Sequence, residues 1–189
     1  GGRVPTLVVL NRGLLPLLLL DGEELVGAKQ NRILNTSILV PPGQQVHVPV
    51  SCVERGRWDR VSHSFSSRES VMPSSLRSAK FNRVTESIRS TGTYDADQGE
   101  VWEEIDAYSR RRGVRSATAA LTDVLEADKF GIDDYVGKFP GEEGQTGMAV
   151  YLDDRLVGLD LFGRSNVFGA ARLRLLRSYA ADALARQGD

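Results

Sequence analysis

Apolar residues come in short runs over the first third of the chain and in helical stripes after it. The runs Thr6 to Leu10, Leu14 to Leu20, Ile33 to Val40 and Val46 to Val53 are separated by Asn11-Arg12-Gly13, Asp21-Gly22 and Pro41-Pro42-Gly43. Glycine admits a positive φ and proline cannot donate to a strand ladder, so each break reads as a turn. This pattern predicts a small antiparallel sheet or sandwich over residues 1–65.

From Ser74 to Phe139 the period becomes helical. Ser74 or Ser75 after Pro73 is a suitable N-cap for a first helix carrying Phe81, Val84 and Ile88 as far as Gly92. Asp97 and Glu100 have the spacing of a capping box ahead of Val101, Trp102, Ile105 and Tyr108. Ser116 opens a third helix with Ala120, Leu121, Val124 and Leu125 inward. Ile132, Tyr135, Val136 and Phe139 define a fourth that stops at Pro140, and all four read as short. Met148, Val150 and Leu152 alternate ahead of Asp153-Asp154, which predicts a hairpin from Gly147 to Phe162. A last helix follows, from about Val167 to Arg186. The expected fold class is α+β, with an N-terminal antiparallel sheet or sandwich, central short helices, a β-hairpin and a C-terminal helix. The 189 residues suit one domain, 1–189, made of a β-rich part (1–65), a helical part (74–139) and a hairpin with a terminal helix (147–187).

Charge narrows the function classes. Lys and Arg total 24 against 25 Asp and Glu, a net charge of -1, so no overall field draws the chain to nucleic acid. The longest apolar run, Leu14 to Leu20, is interrupted by Pro16 and falls far short of a bilayer span of about 20 residues. Neither a nucleic-acid nor a membrane partner is expected. Cys52 is the only cysteine, which excludes an intrachain disulfide and a thiolate-rich metal site and fits a cytoplasmic location. The chain starts Gly1-Gly2 without Met and enters a strand pattern almost at once, so a further N-terminal segment is expected ahead of it.

The familiar motifs of phosphate loops, zinc hydrolases, serine hydrolases and dinucleotide folds do not occur, and two histidines cannot build a His-rich metal site. His47 reads as a solvent-facing strand residue and His63 as part of an exposed loop, while Arg110 to Arg112 read as a solvated helix end. No metal is expected and no cofactor is named by the sequence. What stands out is the polar stretch from Asp21 to Asn35 between two apolar runs. In a strand Glu23 and Glu24 point to opposite faces, which argues against a glycosidase pair. Gln30, Asn31, Arg32 and Asn35 offer amides and a guanidinium that could hold a phosphate, a carboxylate, a ribose or a purine edge, or could bind backbone inside the protein.

The second unusual stretch is Val50 to Trp58. Alternation puts Val46, Val48, Val50, Cys52 and Glu54 on one face, with Cys52 closing an apolar row. A carboxylate beside the thiol raises its pKa, against nucleophile formation, unless Arg32 or Arg57 lies close. Trp58 could stack a base, with Arg57 on a phosphate, or plug the seam between sheet and helices.

Four strings, Asp21 to Arg32 (DGEELVGAKQNR), Val50 to Trp58 (VSCVERGRW), Ala96 to Trp102 (ADQGEVW) and Val157 to Phe162 (VGLDLF), resemble the signature of a bacterial family, the ADP-ribosylglycohydrolase (ARG) and rhodanese-phosphatase-superfamily-associated protein domain. The resemblance spans nearly the whole chain. It implies a link to NAD or ADP-ribose metabolism and a further segment before the first strand, and it assigns no catalytic role. The family's polar signature falls on Glu24, Gln30, Asn31, Arg32, Cys52, Glu54, Arg57 and Trp58.

Two functions stay open at this point. In the first, Gln30, Asn31, Arg32, Asn35, Arg57 and Trp58 bind a small anionic ligand such as an ADP-ribose or nucleotide derivative, with Glu24, Cys52 or Glu54 as the catalytic candidates if the ligand is turned over. In the second, the same residues are structural and the chain is a non-catalytic interaction or regulatory module with a protein partner or a second copy of itself.

Overall fold

The computed structural model describes residues 5–57 and 59–187. The elements in chain order begin with β1 (Thr6–Leu10), β2 (Leu17–Leu19), β3 (Glu23–Gly27), β4 (Arg32–Leu34), β5 (Ile38–Val40), β6 (Gln45–Cys52) and β7 (Phe65–Val71). They continue with α1 (Ser74–Thr91), α2 (Gln98–Arg111), α3 (Leu121–Ala127), α4 (Lys129–Gly137), β8 (Gly147–Leu152), β9 (Arg155–Leu161) and α5 (Ser165–Arg186). The class is α+β. An antiparallel sheet of order β1-β6-β4-β3-β7 is accompanied by a β2-β5 ribbon and a β8-β9 hairpin.

Both faces of the main sheet are covered. On one, Leu25, Leu34, Val48 and Val50 pack against Leu19 and Val40 of the ribbon. On the other, Ile33 packs with Leu76 and Val84 of α1, Val101, Ile105 and Tyr108 of α2, and Leu121 and Val124 of α3. A strand covered twice has no solvent side, so a polar residue on it must find an internal partner. This is why β3 escapes a reading that looks for alternation, since it carries buried Glu23-Glu24; β7, FSSRESV, is an edge strand with Ser66, Ser67 and Arg68 exposed and too polar to read as a strand.

Several boundaries move, each for a local reason. The Leu14 to Leu20 run shrinks to β2, with Leu14 and Leu15 left 94% and 77% exposed. Asn11 causes this: its Nδ2 donates to the carbonyls of Leu15 (2.8 Å) and Val40 (2.9 Å), and its Oδ1 accepts from Gly13 N (2.9 Å), which folds the segment into a loop that Pro16 cannot rejoin to a ladder. The Ile33 to Val40 run divides between β4 in the main sheet and β5 in the ribbon. The break falls at Asn35, which bridges Ser51 and the Tyr94 carbonyl, and at Ser37, whose Oγ accepts from Asp21 N at 2.9 Å.

The first helix is not short: α1 runs for 18 residues. Its N-cap is Pro73, and the carboxylate of Asp182 on α5 accepts from the Ser74 and Ser75 hydroxyls and from Ser75 N, so a side chain from across the core satisfies the helix start. Asp97 caps α2 as its spacing predicts, with Oδ1 accepting from Gly99 N (3.1 Å) and Glu100 N (3.3 Å). The third helix starts at Leu121 rather than Ser116, because Ser116 Oγ accepts from Thr118 N and Ala120 N and holds a turn there. Asp153 and Asp154 both adopt positive φ in the β8-β9 turn. The helix end at Arg110 to Arg112 is only partly solvated. Arg112 grips Asp128 with two hydrogen bonds of 2.7 and 2.6 Å and donates to the Leu184 carbonyl. No described helix is long and apolar enough to cross a membrane.

Candidate functional site

The turn between β3 and β4 sets the geometry. Gly27 sits at φ 138°, and a Cβ there would meet the Ser64 carbonyl and the Ser62 hydroxyl at 2.5 and 2.7 Å, so only glycine lets the 62–65 segment close over it. Ala28 follows in the left-handed region, and its carbonyl accepts from Arg57 Nη1 (2.9 Å) and Val61 N (3.0 Å). The turn therefore delivers Asn31 into the interior beside the chain leaving β6.

Asn31 is the hub. Its Oδ1 accepts from Gly27 N (3.3 Å) and Arg57 Nη2 (3.0 Å), its Nδ2 donates to Thr122 Oγ1 (3.1 Å), and its backbone N–H donates to Glu54 Oε2 (3.1 Å). Glu54 also pairs with Arg57 at 2.6 Å and accepts from Thr118 Oγ1 at 3.1 Å. The Thr122 hydroxyl donates to Glu24 Oε1, and the second oxygen of Glu24 accepts from Ser70 Oγ at 3.2 Å. Seven side chains, those of Glu24, Asn31, Glu54, Arg57, Ser70, Thr118 and Thr122, thus form one connected network. Glu54 does not continue the row of Val48 and Val50: β6 ends at Cys52, and Glu54 makes an isolated bridge to Ala120 that turns its side chain into this network.

The carboxylates differ in state. Burial pushes the Glu24 pKa above the usual carboxylate value, with the Thr122 and Ser70 hydroxyls opposing it. Burial also acts to raise Glu54, but the bond and charge of Arg57, together with Asn31 N–H and Thr118, outweigh it and hold Glu54 below the usual value. Glu23, on the opposite face of β3, is buried as well. Its Oε1 accepts from Ser67 Oγ (2.7 Å) and faces Arg174 (3.2 Å), and its Oε2 accepts from Leu20 N (3.1 Å).

A second cluster adjoins the first. Arg32 is the register partner of Cys52 on β6, and its Nη1 donates to Cys52 Sγ and, at 3.3 Å, to Gln30 Oε1. Gln30 Nε2 reaches the Arg55 carbonyl at 3.4 Å. Cys52 is 1% exposed, and burial pushes its thiol pKa up more than Arg32 pulls it down, which keeps it a thiol at neutral pH. Beyond the end of β1, Gln98 takes the place of a neighbouring strand: Cys52 N donates to Gln98 Oε1 (2.7 Å) and Gln98 Nε2 donates to the Cys52 carbonyl (2.9 Å). Arg32 Nε is buried without a hydrogen-bond partner.

The structure brings Glu24, Asn31, Glu54 and Arg57 into one network and Gln30, Arg32 and Cys52 into the next. Asn35 stands apart, between Ser51 and Tyr94. Trp58 lies outside the described residues. Thr118, Thr122, Ser70 and Gln98 join the two clusters without having been singled out as site residues; of these only Gln98 lies in a signature string. Among the described residues no three His, Cys, Asp or Glu side chains gather as a metal site requires. Of three surface grooves, of about 910, 690 and 310 Å³, none is lined by Glu24, Gln30, Asn31, Arg32, Cys52, Glu54 or Arg57.

A third polar cluster lies at the last signature string. Asp160 on β9 takes two hydrogen bonds from Arg77 of α1 (3.1 and 2.9 Å) and one from the Tyr179 hydroxyl of α5 (2.6 Å). Gly158 makes room for it, since a Cβ there would collide with the Tyr179 hydroxyl. Beside it Lys80, fully buried, pairs with Asp21; burial lowers the lysine pKa and raises that of the aspartate, each opposed by its partner.

All four signature strings therefore meet in polar clusters of the folded chain. The family model for the ARG and Rhodanese-Phosphatase-superfamily-associated Protein domain, ARPP-1, matches residues 1–189. The chain belongs to this family. No curated protein and no solved structure matches it. In this ARPP-1 chain the signature strings join the main sheet to α1, α2 and α3 and the β8-β9 hairpin to α5.

Proposed function

We propose that this ARPP-1 domain is a non-catalytic binding or regulatory module, and that the polar signature is its internal framework. One observation carries the reading: the functional groups of Glu24, Asn31, Glu54 and Arg57 close on one another, on Thr118, Thr122 and Ser70, and on backbone N–H and C=O groups. A general base needs a proton within reach in an open site, and a nucleophilic cysteine needs thiolate character. Glu24 and Cys52 are each 1% exposed, and both are pushed toward their protonated forms. The family description, with its association with ARG and rhodanese-phosphatase proteins, suits a module that serves partner proteins.

A second reading is favoured by the unpartnered Arg32 Nε. A small anion, such as the phosphate of an ADP-ribose or nucleotide derivative, held by Arg32, Gln30 and Arg57 would satisfy that donor. Thermal unfolding with a panel of ADP-ribose, ADP and inorganic phosphate separates the two readings. The framework reading predicts no ligand-dependent shift and a stability loss of about 1–3 kcal/mol for Asn31→Ala. A shift with ADP-ribose that disappears in Arg32→Ala overturns it in favour of the second.

A further inference from the structure

The largest of the three grooves touches the first cluster only at Ser70 and the second not at all. It opens where the curled sheet meets the helices, a setting in which ligand pockets recur. Ala170, Leu173, Arg174 and Arg177 form one stripe of α5 along its wall, at the spacing of a single helix face. Leu125 and Glu126 of α3, Lys129 and Ile132 of α4, and Leu17 to Leu19, Leu25, Phe65 and Val71 of the strands complete the lining. The lining is mostly aliphatic, and Leu17 and Leu173 are 39% and 50% exposed at its mouth. Its volume, about 910 Å³, lies at the upper end of the usual range for small-molecule sites, about 300–1,000 Å³.

The charges are arranged against this apolar body. Arg68, Lys129, Arg174 and Arg177 line the groove, with only Glu23 and Glu126 as lining carboxylates. Glu23 is already neutralised by Arg174 and held by the Ser67 hydroxyl. Arg68 pairs with Glu126, and Arg177 with Asp133 at 2.6 Å. Those two pairs are surface pairs, with side chains 34% to 49% exposed, and pairs of that kind contribute little and exchange readily. A ligand head group can take the guanidinium of Arg177 or Arg68 at small cost. The groove lined by Asp160 and Tyr179 offers no such opening, because Arg77 there is taken by Asp160 and Tyr179 together.

We propose that this groove binds an amphipathic anion, an aliphatic body against Leu19, Leu25, Ile132 and Leu173 with a single phosphate, sulfonate or carboxylate head on Arg177 and Lys129. The aliphatic lining favours a hydrocarbon body over a nucleobase, for which Phe65 is the one lining aromatic. The groove meets the framework clusters only at Ser70, whose hydroxyl is held by Glu24, and the head-group residues Arg177 and Lys129 belong to neither cluster, so the proposal can be tested apart from the function proposed for them.

Titration calorimetry with decyl phosphate, decanol and inorganic phosphate tests the assignment, with the variants Arg177→Gln/Lys129→Gln and Leu173→Ser checked for unfolding temperature beforehand. Decyl phosphate should bind with a single-site isotherm. Decanol and inorganic phosphate should each bind at least about tenfold more weakly, since each lacks half of the recognition. The double variant should lose about tenfold for decyl phosphate and nothing for decanol, and Leu173→Ser should weaken both. No saturable binding of decyl phosphate, equal binding of decanol, or binding unchanged in folded Arg177→Gln/Lys129→Gln protein would overturn the proposal. Failure here, with Asn31→Ala still behaving as a framework variant, leaves the module reading in place.

Discussion

Glu24→Gln separates a carboxylate kept for chemistry from one kept as a hydrogen-bond acceptor. Glu24 accepts from Thr122 on one oxygen and from Ser70 on the other, and Thr122 Oγ1 itself accepts from Asn31 Nδ2. In the variant the amide oxygen faces Thr122, and the amide NH₂ donates to Ser70 Oγ once that hydroxyl turns away. Both contacts survive without added volume, at about 1 kcal/mol for each neutral hydrogen bond. Glu24→Ala instead strands two buried hydroxyls and empties the space of the longer side chain, for a combined cost of about 2–5 kcal/mol. The pH dependence supplies the sign. Because the folded pKa of Glu24 lies above its ordinary value of 4.5, the folded wild type holds this proton more tightly than the unfolded chain does. The stability that proton brings is complete below the unfolded pKa and is lost as pH rises through the folded one. Glu24→Gln has no such loss, so it should match the wild type within about 1 kcal/mol at about pH 5 and gain on it toward pH 8. Urea unfolding followed by far-UV circular dichroism at several pH values measures both trends. A Gln variant as unstable as the Ala variant, or one that falls further behind the wild type as pH rises, would refute the reasoning.

Two further outcomes follow from single side chains. Cys52, buried and with its thiol pKa pushed up, should react with iodoacetamide at least about a hundredfold more slowly in the folded protein than in urea, and fast native labelling at neutral pH contradicts the assignment. Gly158→Ala should cost about 1–3 kcal/mol by driving Tyr179 off Asp160, measured by thermal unfolding, and a variant as stable as the wild type shows that the close approach is not required.

What the sequence discloses depends on how far away the partners are. The α2 cap is legible because Asp97 satisfies Gly99 and Glu100 two and three residues on, and the β8-β9 turn because Asp153-Asp154 adopt their own backbone preference. The start of α1 after Pro73 is legible but the group that satisfies it is not, since the accepting carboxylate is Asp182, 108 residues from Ser74. The strands β3 and β7 are not legible. Alternation marks a strand with one wet face, whereas β3 is covered on both sides and buries Glu23 and Glu24 alike, and β7 at the sheet edge exposes Ser66, Ser67 and Arg68 in succession, so neither shows the pattern.

The candidate residues show the same limit at the level of function. Spacing alone brings Asn31 and Arg32 to notice and suggests a receptor for an anion, and a string rich in amides and guanidinium reads identically whether its partner is a ligand or the chain. The deciding partner of Asn31 is Thr122, 91 residues away, and Thr122 in turn reaches Glu24, 98 residues back. A threonine before an apolar helix gives no signal of that role. Conversely, the cation-lined groove is spread over seven strands and helices, with Arg68 on β7, Lys129 on α4 and Arg174 and Arg177 on α5, so no motif announces it. On the proposed reading, concentrated polarity in this chain marks the framework, and the groove proposed for a ligand is assembled from dispersed residues that only the fold brings together.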